Sequence, residues 1–96
     1  MNVKTTFKKS KFGTAVFSKI LDAVYLAGED IFEIRFANSI VYLIENSVIK
    51  SSNHIQGNPQ IERVEIDTEL GSGFYVYYAD GQKAEASWAF VMEDAN

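Results

Sequence analysis

Three acidic residues at alternating positions are the first candidates for chemistry. Glu65, Asp67 and Glu69 would lie on one face of a strand if that strand extends to residue 69. A carboxylate acts as a general acid or base when a pocket shifts its pKa. Alternating acids are more typical of the solvated face of a half-buried sheet, and such a face can also bind a basic protein surface. We therefore assign these three residues to a partner-binding surface.

The other catalytic and metal-binding patterns are incomplete. The chain has no cysteine and one histidine, His54, which lies in a polar segment. No G-x-S-x-G motif supplies an activated serine, and only carboxylates are left to complete a metal site. The glycines of Gly71–Gly73 lead into FYVYY, not into the helix of a phosphate-binding loop. We expect a protein without enzymatic activity, catalytic residues, metal or cofactor.

The net charge of −4 is unevenly distributed along the chain. Residues 1–20 contain five lysines and no acid, whereas the rest of the chain carries all 13 acids. Such a basic arm can bind an acidic partner or a nucleic acid, fold back on the acidic body, or stay solvated. The nucleic-acid hypothesis rests on four lysines near the start: Lys4, Lys8, Lys9 and Lys11.

The elements that would position these residues follow from an internal repeat. Residues 32–49, FEIRFANSIVYLIENSVI, align without a gap with residues 74–91, FYVYYADGQKAEASWAFV. Upstream, residues 21–26 align with residues 61–66, with a connection two residues longer in the second copy. Similarity at a fixed spacing indicates a repeated structural unit.

Each copy predicts three antiparallel strands. A period of two places Phe32, Ile34 and Phe36 on one face of the middle strand, and the second copy repeats this pattern. Asp80-Gly81 predicts a type I′ hairpin turn, and Asn38-Ser39 is a weaker form of the same signal. The third strands are predicted at residues 40–45 and 82–87.

The segment before the first predicted strand fits two interpretations. Between Thr14 and Gly28 the apolar residues follow helical spacing, with a threonine able to cap the start and a glycine just past the end. The repeat instead favours a strand at residues 21–26, with at most a short helix before it. The fold class is therefore mainly β, or α+β with one short N-terminal helix.

We expect one compact domain over residues 1–96, built from two similar three-stranded antiparallel meanders. Its parts are a basic N-terminal arm, a first β repeat, a linker and a second β repeat, at residues 1–20, 21–49, 50–60 and 61–91. No apolar run approaches the roughly 18 residues of a membrane-spanning helix, so we expect no membrane contact and a cytoplasmic location.

Two sets of side chains break the predicted alternation. Tyr75 and Tyr77 face outward if Phe74 and Val76 face inward, and tyrosine is common at protein interfaces. Val41 and Leu43 make their strand apolar on both sides, as in a strand buried on both faces. Either the segment 12–20 or a second copy of the chain would then cover it, so these two residues mark a packing or homodimer face.

The hairpins FEIRFANSIVYLI and FYVYYADGQKAEA resemble small uncharacterised bacterial domains, which are often encoded beside toxin–antitoxin-like genes. The resemblance covers residues 21–45 and the turn at residues 80–81. This chain has Asn38-Ser39 where the family prefers Asn-Gly, and it lacks a proline after the second hairpin. The family has no established activity, so the resemblance implies only a small accessory protein and assigns no functional residues.

These patterns predict a non-enzymatic module that occupies the surface of a protein partner. Inhibitors, antitoxins, immunity proteins and phage anti-defence proteins act in this way. The predicted contact consists of two tyrosines and three acids: Tyr75, Tyr77, Glu65, Asp67 and Glu69. The alternative is a nucleic-acid-binding accessory protein that uses the basic arm.

Overall fold

The computed structural model describes residues 16–95. Six strands and two short helices follow one another along this part of the chain. They are β1 (Ile20–Leu26), β2 (Ile31–Phe36), β3 (Val41–Glu45), α1 (Asn46–Ser52), β4 (Ile61–Ile66), β5 (Gly73–Tyr78), β6 (Lys83–Ser87) and α2 (Trp88–Asp94).

The elements form two units of the same architecture. Strands β1–β3 make one antiparallel sheet in sequence order and β4–β6 make the other, here called the first sheet and the second sheet. Each sheet is followed by a seven-residue helix. The predicted pair of three-stranded antiparallel meanders, and with it the mainly β fold, is confirmed.

Backbone hydrogen bonds recur at equivalent positions in the two units. The Ala37 amide donates to the Lys19 carbonyl at 2.8 Å, and the Ala79 amide donates to the Gln60 carbonyl at 2.8 Å. Each sheet also has a register irregularity in its first strand, between Ile20 and Asp22 in β1 and at the matching place in β4. The repeat is therefore a property of the backbone as well as of the sequence.

The sequence alignment of the first strands was wrong by one residue. Ile20 pairs with Phe36 and Ile61 pairs with Tyr78, and Phe36 and Tyr78 are themselves equivalent. Ile61 is therefore equivalent to Ile20, not to Leu21. The pairing register of the first strand is set by which of its side chains the core buries, because a one-residue shift would turn every side chain of the strand to the other face.

The predicted type I′ turns were also wrong. Only Ser39, with φ 74°, and Gly81, with φ 95°, have positive φ in the two hairpin loops. The Ser39 amide donates to the Phe36 carbonyl, and the Phe36 amide donates to the Ile40 carbonyl, which makes a three-residue loop. Such loops combine a type I turn with one left-handed residue, so a single residue has to tolerate positive φ.

The helices are not where the sequence placed them. Residues 20–26 form β1, so the strand interpretation is confirmed and the helical one is wrong. Residues 46–52, at the end of the first predicted repeat and the start of the linker, form α1, and α2 was not predicted either. Each helix has only seven residues, which is too short to show a helical period. Ser87 is the one local sequence signal for the start of α2. Its hydroxyl accepts a hydrogen bond from the Phe90 amide at 3.1 Å, as serine commonly does at a helix N-cap.

The inner faces of the two sheets share one core. The alternating residues of the middle strands point into it, as predicted, and Phe32 and Phe74 are both 0% exposed. These two residues are equivalent in the repeat, and their ring centroids lie 5.7 Å apart. The helices close the core, and each of them contacts both third strands. Within residues 16–95, no helix is long and apolar enough to cross a membrane.

We predict that Phe32→Ala destabilises the fold by about 3–5 kcal/mol, because it leaves a cavity where the two sheets meet. Urea denaturation followed by circular dichroism measures the free energy of unfolding. The control is Leu70→Ala, because Leu70 is 67% exposed and exposed substitutions usually change stability by less than about 0.5 kcal/mol. Equal effects of the two substitutions would contradict the shared core.

Candidate functional site

The outer face of the second sheet brings two tyrosines together with four charged residues. Tyr77 lies between Arg63 and Lys83 across the strands, and Tyr75 lies between Glu65 and Glu85. Side chains that are directly opposite in neighbouring strands share one face. We call this set of six residues the tyrosine face: Arg63, Glu65, Tyr75, Tyr77, Lys83 and Glu85.

The cations of the tyrosine face lie over its rings. The Arg63 guanidinium carbon is 3.9 Å from the Tyr77 ring centroid. The Lys83 ammonium nitrogen lies 4.7 Å from the Tyr75 centroid and 5.4 Å from that of Tyr77. Arg63 also donates a hydrogen bond to Glu65 at 3.0 Å, which raises the pKa of its guanidinium. These contacts link the side chains of the tyrosine face to one another.

The tyrosines are half-buried, whereas the four charged residues around them are exposed. The long cationic side chains lie over the rings and contribute to this partial burial. No second layer of the described chain lies over this face. The predicted outward orientation of Tyr75 and Tyr77 is confirmed; the role in binding stays a prediction.

Asp67 and Glu69 do not belong to the tyrosine face, because β4 ends at Ile66. The expectation that they share a strand face with Glu65 is wrong. The Asp67 carboxylate accepts hydrogen bonds from the Ser72 hydroxyl at 2.8 Å and from the amides of Glu69 and Leu70. The bond from Ser72, followed by the one from Leu70, lowers the pKa of Asp67. Asp67 thus holds a loop together, and Glu69 is exposed on that loop.

Val41 and Leu43 lie on the outer face of the first sheet. They pair with Arg35 and Glu33 and are half-buried, while the alternate residues of β3 are buried. The strand is thus fully buried on one face only, contrary to the expectation of burial on both. In the proposed cover, Ser18 and Lys19 accept hydrogen bonds from the backbone of the loop at residues 37–38, and the Ile20 amide donates to the Gly71 carbonyl. Residues 12–15 lie outside the described part.

The remaining residues considered in the sequence do not form part of a site in the described chain. Lys4, Lys8, Lys9 and Lys11 lie outside the described residues. His54 is exposed in the turn after α1. In residues 16–95 no group of three or more histidine or acidic side chains is arranged to hold a metal ion.

Sequence reasoning missed a polar network between the units. The Tyr25 hydroxyl donates to Asp30 Oδ1, and Asn46 Nδ2 donates to the same oxygen at 3.1 Å. The Tyr78 hydroxyl donates to Asn46 Oδ1 at 3.1 Å, and Asn46 is only 4% exposed. No local signal marks these residues, because the bonds of Asn46 join positions 16 and 32 residues away in the chain.

No protein-family model, curated protein or solved structure matches this chain. The choice between functions therefore rests on the geometry of the described residues.

We predict that Asp30→Asn lowers the pKa of two tyrosines. The hydrogen bond to Asp30 raises the pKa of Tyr25 to about 12. Burial raises the pKa of Tyr78 to about 12, and the negative charge of Asp30 is the second cause of this rise. Ultraviolet titration of tyrosinate should show two groups moving toward pH 10. The stabilisation from the raised pKa values is complete below pH 10 and is lost as the pH rises toward 12. The control is Asp80→Asn, and an unchanged titration in Asp30→Asn would contradict the network.

We predict that Asp67→Ala lowers the melting temperature at neutral pH and that the difference from the native chain shrinks in acid. The pKa of Asp67 is lowered from 3.8 in the folded chain, so its contribution is present above about pH 4 and is lost as the pH falls through the lowered pKa. Melting temperatures measured between neutral pH and pH 2.5 or so test this sign. Glu69→Ala serves as the control and should show no such trend.

Proposed function

We propose that this chain is a non-enzymatic protein-binding module that docks on a protein partner through the tyrosine face. The observation that carries the proposal is the pair of outward-facing tyrosines, Tyr75 and Tyr77, side by side on a sheet face whose other residues are charged and exposed. Asp67 and Glu69 lie beyond the end of β4, and the Asp67 carboxylate is occupied by hydrogen bonds within its loop, so the proposed contact leaves both residues out. Arg63, Lys83 and Glu85 take their place.

Tyrosine suits this role because its ring offers a large rigid contact area and its hydroxyl stays able to form hydrogen bonds. Arg63 and Lys83 already hold the rings of the tyrosine face. Less side-chain freedom is therefore lost when a partner docks, which favours affinity.

The charges of the tyrosine face are arranged in two rows. The row through Tyr77 carries two cations, and the row through Tyr75 carries two carboxylates. A partner that fits this pattern presents acidic groups opposite Arg63 and Lys83 and basic groups opposite Glu65 and Glu85. Complementary rows of this kind fix the orientation of a complex and reject partners with the reverse pattern. Inhibitors, antitoxins and immunity proteins need this discrimination, and we place the chain in that functional class.

The first step of the test locates the contact. A photo-crosslinking amino acid replaces Tyr77 in the whole chain, and a second variant carries it at Val24 on the outer face of the first sheet. The captured protein is identified, purified and titrated against the native chain. Capture by the tyrosine face only is expected, and equal capture by both positions would contradict the proposal.

The second step measures the dissociation constant of that purified complex. We expect Tyr75→Ala and Tyr77→Ala each to weaken binding at least tenfold, which corresponds to about 1.4 kcal/mol, because truncated interface tyrosines are frequent hot spots. Glu65→Lys should also weaken binding, whereas Glu69→Lys should change it little. Unchanged affinity in both tyrosine variants would refute the assignment.

A further inference from the structure

A groove of about 380 Å³ opens between the two units and shares no lining residue with the tyrosine face. Tyr25, Asp30 and Asn46 form its first-unit side, and residues 58–61 form the other. We call it the polar notch. The hydrogen bonds from Tyr25 and Asn46 to Asp30 Oδ1 described above lie along its first-unit side.

The polar notch leaves one strong acceptor without a partner. Asp30 is exposed; its Oδ1 receives both of those bonds, and its Oδ2 accepts no hydrogen bond from a donor among residues 16–95. Asp30 also has no ion pair with a cation of the described chain. Because the Tyr25 hydroxyl gives its proton to Asp30, the lone pairs of its oxygen can accept a further hydrogen bond.

The equivalent place in the second unit shows what the fold itself requires. The Asn46 amide donates to the Asp30 carbonyl at 3.0 Å, and the Trp88 amide donates to the Ser72 carbonyl at 2.9 Å. Trp88 therefore takes the position of Asn46, and Ser72 that of Asp30.

That place is filled in the second unit. The Phe17 ring meets the Trp88 ring edge to face, with centroids 5.2 Å apart. The carbonyls of Lys19 and Gln60 are equivalent acceptors in the two units. Phe17 lies two residues before the first of them, and Asn58 lies two residues before the second. Phe17 thus has its counterpart in Asn58 at the rim of the polar notch. The fold packs two aromatic rings at this position in one unit. In the other unit it leaves a polar groove that carries the Asp30 carboxylate and has the Lys50 ammonium at its rim, where it donates to Asn58 Oδ1 at 2.8 Å.

We propose that the polar notch binds a cationic nitrogen donor, an ammonium or guanidinium group, that donates to Asp30 Oδ2 and to the Tyr25 oxygen. An anion would be repelled by the Asp30 carboxylate, and an apolar group would leave that carboxylate desolvated without a partner. A guanidinium or ammonium supplies the charge and the N–H donors together. The proposal goes beyond the tyrosine face, because no residue of one site belongs to the other.

The test is a titration of the whole chain, labelled with nitrogen-15, with methylguanidinium and methylammonium. Tetramethylammonium, which has the charge but no N–H donor, is the matched probe. We expect saturable amide shifts confined to residues of the polar notch with the first two cations, and at least tenfold weaker binding of tetramethylammonium. Shifts spread over all acidic residues, or equal binding of the three cations, would overturn the proposal.

Two substitutions check the site. Asp30→Asn keeps an acceptor for Tyr25 and tolerates the φ of 58° at this residue, and it should weaken binding at least tenfold. Asn58→Phe fills the groove from its exposed rim, as Phe17 does in the second unit, and should have the same effect. Glu69→Gln removes one charge from an exposed loop and should leave binding unchanged. Native affinity in both notch variants would refute the site.

The cationic group could belong to a side chain of a partner protein or to a free small molecule, and an arginine-containing peptide with blocked ends distinguishes these two sources. If the peptide binds at least tenfold more tightly than methylguanidinium, the ligand is a side chain of a partner protein. If the two bind alike, the notch takes a free small cation. If all these titrations fail, the proposed role of the tyrosine face is unaffected, because the crosslinking at Tyr77 tests a different surface.

Discussion

The contact between the inner faces of the two sheets is the constraint on which the rest of the structure depends. A three-stranded sheet of five- to seven-residue strands has one apolar face and cannot bury it alone. Here the apolar face of each sheet covers that of the other, with Phe32 against Phe74 at equivalent positions. The two units are therefore parts of one core.

The sharing of the core is not symmetric in volume. The third strand of the first sheet buries Tyr42 and Ile44, whereas the equivalent residues of the second sheet are Ala84 and Ala86. The shared core thus combines large side chains from one sheet with small ones from the other in one closely packed interior. The connection after α1 adds to this joint, because the Asn53 side chain exchanges two hydrogen bonds of 3.1 Å with the backbone of Glu85 and covers the edge of β6.

A repeated scaffold makes the differences between its halves informative. Positions needed for folding are similar in the two units, as the matching carbonyl acceptors at Lys19 and Gln60 show. The second sheet carries tyrosines on its outer face where the first sheet carries Glu33 and Arg35. The polar notch differs from its aromatic counterpart in the same way. Both candidate sites are places where only one unit departs from the shared pattern, and the scaffold does not demand either departure.

The local sequence determined the strands, the hairpin order and the direction of the side chains, because a period of two and a tight turn are local properties. It therefore placed Tyr75 and Tyr77 outward and the phenylalanines inward. The helices escaped prediction, because seven residues show too little of a helical period.

Only the tertiary structure decided which side chains meet. The register of β4 against β5 brought Arg63 to Tyr77, and the end of β4 at Ile66 turned Asp67 into a loop cap. The packing of one unit on the other joined Asn46 to Tyr78. Contacts of this kind depend on where distant segments pack, and the alternation of residues within one segment carries no information about the segment that will lie beside it.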